Sequence, residues 1–251
     1  MSDSSQTIRI FISSPGDVAE EREGAKRVVE GLQKSYPQAT LQSVLWEDLA
    51  LPATASFQET IDILLGREPI DIAVFILWSR LGSPLGAAIT KRDGSPYHSG
   101  TEREFGLMLE THEQSDQNRP LILAYTRDDD TAFREKLTKC ADAELEGLIQ
   151  QRRRAESFIV EQFHDAEGRN LRAYHTYSEP IGFLQRLRVH LRNSIDELLD
   201  VDSITWTEEP YRGLETFDVE HAPIFYGREE ETCDLLQRMR DQQEAGCAFV
   251  V

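Results

Sequence analysis

Hydroxyl, indole and guanidinium groups follow the apolar runs of this chain at places where a fold would present them to a ligand. Ser13 and Ser14 close the run that begins at Ile8, and Trp78 and Arg80 follow the run that begins at Ile70. Serine hydroxyls at a strand end can hydrogen-bond a ribose or a phosphate, and they serve turns and caps equally well. An indole can stack on a nicotinamide or adenine ring, and a guanidinium can meet a phosphate through two N–H groups. The plainer uses are core packing for Trp78 and an ion pair for Arg80. Trp46 and Asp48, past a third apolar run, are weaker candidates of the same kind.

Two carboxylates, Glu102 and Glu104, fall in the first turn of a helix that follows a Gly, Pro and Ser-rich stretch. Ser99-x-x-Glu102 and Thr101-x-x-Glu104 both have capping-box spacing, and acids in a first helical turn suit the helix dipole. Six scattered histidines make no ligand pattern, so no metal site is expected. No Gly-x-Ser-x-Gly elbow occurs, which leaves a hydrolase triad unsupported.

The elements that must position these groups alternate between strand and helix. Strands are predicted over Ile8–Ser13, Ala39–Trp46, Ile70–Trp78, Pro120–Tyr125 and, more weakly, Leu171–Tyr177. Pro15-Gly16 marks a turn, and Asp17 with Glu20 reads as a capping box opening a helix. Its apolar positions Val18, Ala25, Val28, Val29 and Leu32 share one face. Further helices are predicted over Ser56–Leu65, Thr101–Glu113, about Asp129–Phe163 as one long polar stretch, and Pro180–Leu199. Strands separated by helical crossovers imply an α/β fold: a mainly parallel five-stranded sheet, flavodoxin-like, with helices on both faces. Ligands of such folds bind at the carboxyl ends of strands, beside a topological switch point. That rule selects Ser13–Asp17, the loop Trp78–Gly100 and the tip after Tyr125.

Composition narrows the class. A net charge of −18 argues against a nucleic-acid partner, since phosphate contacts need a basic surface. The basic run Arg152–Arg154 lies among Glu144, Glu146 and Glu156 and reads as a solvated helix face. No stretch approaches the roughly 18 apolar residues of a membrane helix, and the amino terminus shows no secretory signal. Three widely spaced cysteines, Cys140, Cys233 and Cys247, suggest a reducing, cytoplasmic setting. The composition changes after Asp200, which divides the chain into an α/β domain over 1–200 and a following segment over 201–251.

The opening IRIFISSPGDVAEER resembles the TIR-like domain of unassigned function that precedes many STAND-type ATPases, and IAVFILWSRLG and SGTEREFG fit that pattern in order and spacing. The similarity spans roughly residues 7–199. PYRGLETFDVEHAPIFYGRE, from Pro210 to Glu229, looks like the entry to a STAND NTPase domain. The chain stops where the Gly-rich phosphate loop would begin, so it reads as a fragment from which no ATP hydrolysis is expected. The resemblance implies a cytoplasmic signalling protein of anti-phage defence that self-associates through the ATPase. It also implies that NAD or a similar nucleotide is substrate or ligand rather than cofactor, with Glu104 the catalytic carboxylate and Glu102 its reserve. Ser13, Ser14, Trp78 and Arg80 would hold the nucleotide. The alternative is a non-catalytic module that recruits a partner protein, to which the long polar insertion from Asp128 to Phe163 would belong.

Overall fold

The computed structural model describes residues 6–45, 68–83, 85, 89–91 and 94–200. The chain divides into two compact units, Met1–Ile195 and Asp196–Val251, and the fold below is that of the first. The strands are β1 (Gln6–Ser13), β2 (Ala39–Val44), β3 (Ile72–Leu77), β4 (Leu121–Arg127) and β5 (His175–Tyr177). The helices are α1 (Ala19–Gln33), α2 (Gly100–Gln114), α3 (Asp130–Lys139), α4 (Asp142–Phe163) and α5 (Pro180–Leu198). The predicted helix Ser56–Leu65 lies outside the described residues, as do Trp46 and Asp48.

Every strand pair is parallel, in the order β2-β1-β3-β4-β5. The strand order turns back on itself between β1 and β3, which makes the crevice beyond their carboxyl ends the switch point of the sheet. All six residues of β3 are buried because both sheet faces are covered. On one face Phe11, Ala73, Phe75 and Ala124 meet Phe105 and Met108 of α2 and Phe158 and Phe163 of α4 in one apolar cluster. Phe105 is its hub, with its ring centroid 5.1 Å from Phe75 and 5.4 Å from both Phe158 and Phe163. On the opposite face Tyr125 meets Phe183 of α5 edge-on at 5.0 Å. Phe183, Leu187, Leu191 and Ile195 recur every fourth residue and are fully buried, each contributing about 1.5–3 kcal/mol. A Cβ on Gly24 of α1 would fall 2.6 Å from Leu184 Cδ2, so the close approach of α1 and α5 uses the missing side chain.

Three elements depart from the sequence reading. The stretch Asp129–Phe163 is two helices, broken where Cys140 and Ala141 turn extended. Lys136 and Lys139 end the first and Asp142 and Glu144 open the second, so each terminus carries the charge its dipole favours. The fifth strand is only His175–Tyr177, because the backbone of Leu171 and Arg172 is drawn back to the Phe163 carbonyl. Asp17 does not cap α1: it lies inside a 3-10 turn, Gly16–Val18, and its carboxylate is used elsewhere.

Candidate functional site

β1 ends at Ser13, which is wholly buried, and Ser14 is 7% exposed. α2 begins beside them, anchored by Phe105 in the core. Ser99 caps α2, its Oγ accepting from the Glu102 N–H at 3.1 Å. Glu102 answers with one oxygen on the His98 N–H at 2.6 Å and the other on Lys91 Nζ at 2.6 Å. The Ser99 half of the expected capping box is present, but the Glu102 carboxylate reaches the N–H one residue before the cap, and its other oxygen is held by Lys91.

Glu104 is placed differently. One helical step short of the Phe105 anchor, it turns toward the end of β1, where Ser13 Oγ donates to Glu104 Oε2 at 2.6 Å. The pair is buried, with Glu104 5% exposed. A hydrogen bond this short fixes the orientation of the Glu104 carboxyl group. Ser14 Oγ accepts from Arg22 Nη1 at 3.1 Å, and the same nitrogen reaches the Pro15 carbonyl at 3.3 Å. Ser13, Ser14 and Glu104 thus gather at the β1 side of the switch point.

Trp78 belongs to a second group. Its ring faces the Arg127 guanidinium at 4.6 Å and Lys136 Nζ at 5.1 Å. Lys136 also donates to Ser79 Oγ at 3.0 Å, and Asp17 Oδ2 accepts from the Ser79 N–H at 2.9 Å and its hydroxyl at 2.8 Å. Asp17 therefore ties the turn after β1 to the turn after β3. Arg127 closes β4 and bridges Glu21 at 3.2 Å and Asp129 at 2.8 Å, while the Tyr177 hydroxyl reaches Glu21 at 3.4 Å. Burial opposes the charge of Arg127, but the Asp129 hydrogen bond and the Glu21 carboxylate outweigh it and raise its pKa. The Ala132 N–H and then Arg127 hold Asp129 below the usual carboxylate range. Burial first, and the Glu21 charge second, push the Tyr177 hydroxyl up. Arg80 is half-buried, and its Nε has no hydrogen-bond partner among the described residues.

Sequence reasoning did not find Glu21, Arg127 or Lys136. Arg127 had a signal, because it ends the fourth strand at one of the three loops that the switch-point rule selects. Glu21 lies in the first turn of α1 beside Glu20, yet it is 1% exposed. Among the described residues no group of histidine, cysteine, aspartate and glutamate could hold a metal ion, and no helix is long and apolar enough to cross a membrane. The model of the family Novel STAND NTPase 1 matches residues 210–251, which links that segment to the STAND NTPases. No curated protein matches the chain.

Proposed function

We propose that residues 1–200 are a TIR-like effector domain of a STAND signalling protein, acting on NAD-type nucleotides when the protein assembles. The observation that carries this reading is the buried Ser13–Glu104 pair beside the β1/β3 switch point, where folds of this order bind nucleotides. A carboxylate beside the anomeric carbon stabilises or captures an oxocarbenium-like state. The C1′–N bond breaks, and its electron pair leaves with the neutral nicotinamide. Water then delivers hydroxide to C1′ and its proton departs. Ser13 would hold Glu104 in place, and Ser14 and Arg22 would lie beside the phosphates. Because Glu104 is almost wholly covered, the site needs a rearrangement to admit substrate, which suits a domain switched on by assembly in the cytoplasm. The STAND segment that follows supports that role.

The test is NAD consumption by the forcibly oligomerised chain, with Glu102→Gln and Glu104→Gln in parallel. Loss of turnover in Glu104→Gln only supports the assignment, and full turnover in that variant removes it. A second reading, a protein-interaction module, draws on apolar side chains left outside: Val160 of α4 is 59% exposed and Leu171 just beyond it 58%. No turnover by the oligomerised wild type would favour that reading.

A further inference from the structure

α3 has ten residues, and none of them is buried. Its apolar side chains Phe133 and Leu137 are only half-buried. By contrast α2 buries Phe105 and Met108, and α5 buries Phe183, Leu187, Leu191 and Ile195. An open cavity of about 460 Å³, lined by Glu135, Lys136 and Lys139 of α3 and by Glu144 and Leu148 of α4, lies between the two helices. The backbone leaves the helical range at both ends of α3. Asp129 precedes it at φ −132° and ψ 81°, and Cys140 and Ala141 follow it extended.

Polar contacts hold this helix. Among the described residues, Lys136 Nζ donates to Ser79 Oγ at 3.0 Å and lies 5.1 Å from the centre of the Trp78 ring. Asp130 pairs with Arg152 of α4 at 3.1 Å, and the Arg152 guanidinium lies over the Phe133 ring at 5.2 Å. Arg152, read from the sequence as part of a solvated run, is thus half-buried, while Arg153 and Arg154 are exposed. The Asp130 side chain is 68% exposed, and ion pairs so open to water contribute little and weaken with salt. A segment with few buried apolar contacts opens locally, well below the free energy of global unfolding. An isolated helix shorter than about 12–15 residues is marginal in water, so α3 loses its helix when it undocks.

We propose that α3 is a lid that opens by local unfolding, with Lys136 as its latch. Lys136 rests on Ser79, a residue 1% exposed, and on the Trp78 ring, both just beyond the carboxyl end of β3. β3 borders the switch point, where folds of this order receive ligands, so α3 governs access to that edge of the sheet. Glu104 has no part in the latch, and the inference stands whether or not that residue is catalytic.

The test uses the full chain and hydrogen exchange read by mass spectrometry. Salt is raised from about 0.1 M to about 1 M, which shortens the Debye length from about 10 Å to about 3 Å. The α3 amides should exchange together, about tenfold or more faster than those of α2 and α5. High salt and Lys136→Ala should each speed α3 by a further factor of about three while leaving the middle of β3 unchanged. Arg134→Gln, which removes an exposed charge from the same helix, should stay near the wild-type rate. A second readout asks what the lid covers. In Ser79→Cys, alkylation at position 79 should be slow, and adding Lys136→Ala should quicken it by about the factor seen for the α3 amides. Circular dichroism checks the fold of each variant, and the salt series on the wild type needs no variant. Exchange in α3 as slow as in α2 and α5, or unmoved by both salt and Lys136→Ala, overturns the proposal. So does faster exchange in α3 with unchanged alkylation at position 79, since α3 would then cover nothing there.

Discussion

Ser13 Oγ donates to Glu104 Oε2 at 2.6 Å across 91 residues of sequence, with both groups shut away from solvent. Removing the hydroxyl leaves a buried carboxylate short of a donor. Ser13→Ala should therefore lower stability by about 1–3 kcal/mol. Glu104→Gln keeps an oxygen that can accept from Ser13 but adds a buried amide donor, and should cost about 1–2 kcal/mol. Urea unfolding of the two variants measures both losses, and a neutral Ser13→Ala would mean that the bond contributes nothing to the fold.

Asp17 joins two loops that the sheet alone does not connect. Its Oδ2 accepts from both the N–H and the hydroxyl of Ser79, a residue 1% exposed. Asp17→Ala strands a buried N–H and should cost about 1–3 kcal/mol, more than the fraction expected of an exposed turn. Asp17→Asn retains one acceptor oxygen and should recover part of that loss. Hydrogen exchange at the Ser79 amide gives an independent reading: protection should fall in the alanine variant while amides in the middle of β3 stay protected.

The fold was legible because its signals are local. The near-continuous apolar run of β3 can only be a strand covered on both faces, and the four-residue spacing of Phe183, Leu187, Leu191 and Ile195 can only be one helix face. The placement of the candidate residues was legible where a rule of topology supplied what spacing could not: strand ends at the switch point singled out Ser13, whereas Glu104, one step beyond the first turn of α2, came only from the resemblance of SGTEREFG to a known family. Spacing could not separate Glu102 from Glu104, because the two carboxylates differ in what lies opposite them. Glu102 meets its own helix cap and Lys91, and Glu104 meets a strand 91 residues away. The same limit hid the Asp17–Ser79 tie and the Glu21–Arg127 pair, which exist only once three loops converge.

Arg127 and Glu21 form an unequal pair. Arg127 has a second carboxylate, Asp129, whereas Glu21 has otherwise, among the described residues, the Tyr177 hydroxyl at 3.4 Å. Removing the cation leaves a buried carboxylate, so Arg127→Met should destabilise by about 3–5 kcal/mol. Glu21→Gln, which leaves Arg127 still paired, should cost about 1–2 kcal/mol. The double variant should be more stable than Arg127→Met alone, since it no longer buries an uncompensated charge. A double-mutant cycle by chemical denaturation measures this coupling directly, and additive losses would refute it.

The last prediction concerns pH. His190 Nδ1 lies 2.7 Å from the Tyr125 hydroxyl, and the His175 ring is 4.4 Å from the His190 ring. Burial first, and then neighbouring positive charge, Arg186 for His175 and His175 with Arg186 for His190, hold both imidazoles below their ordinary value of 6.5. The unfolded chain therefore takes up protons at a higher pH than the folded one. By linkage the stability these groups contribute is complete above about 6.5 and is lost as the pH falls through their folded values. Melting temperature should accordingly drop between pH 7 and pH 5. In the His175→Gln, His190→Gln double variant that drop should be smaller, with any loss at pH 7 read separately as the cost of the Tyr125 bond. An equal drop in both proteins would assign the acid sensitivity to carboxylates instead.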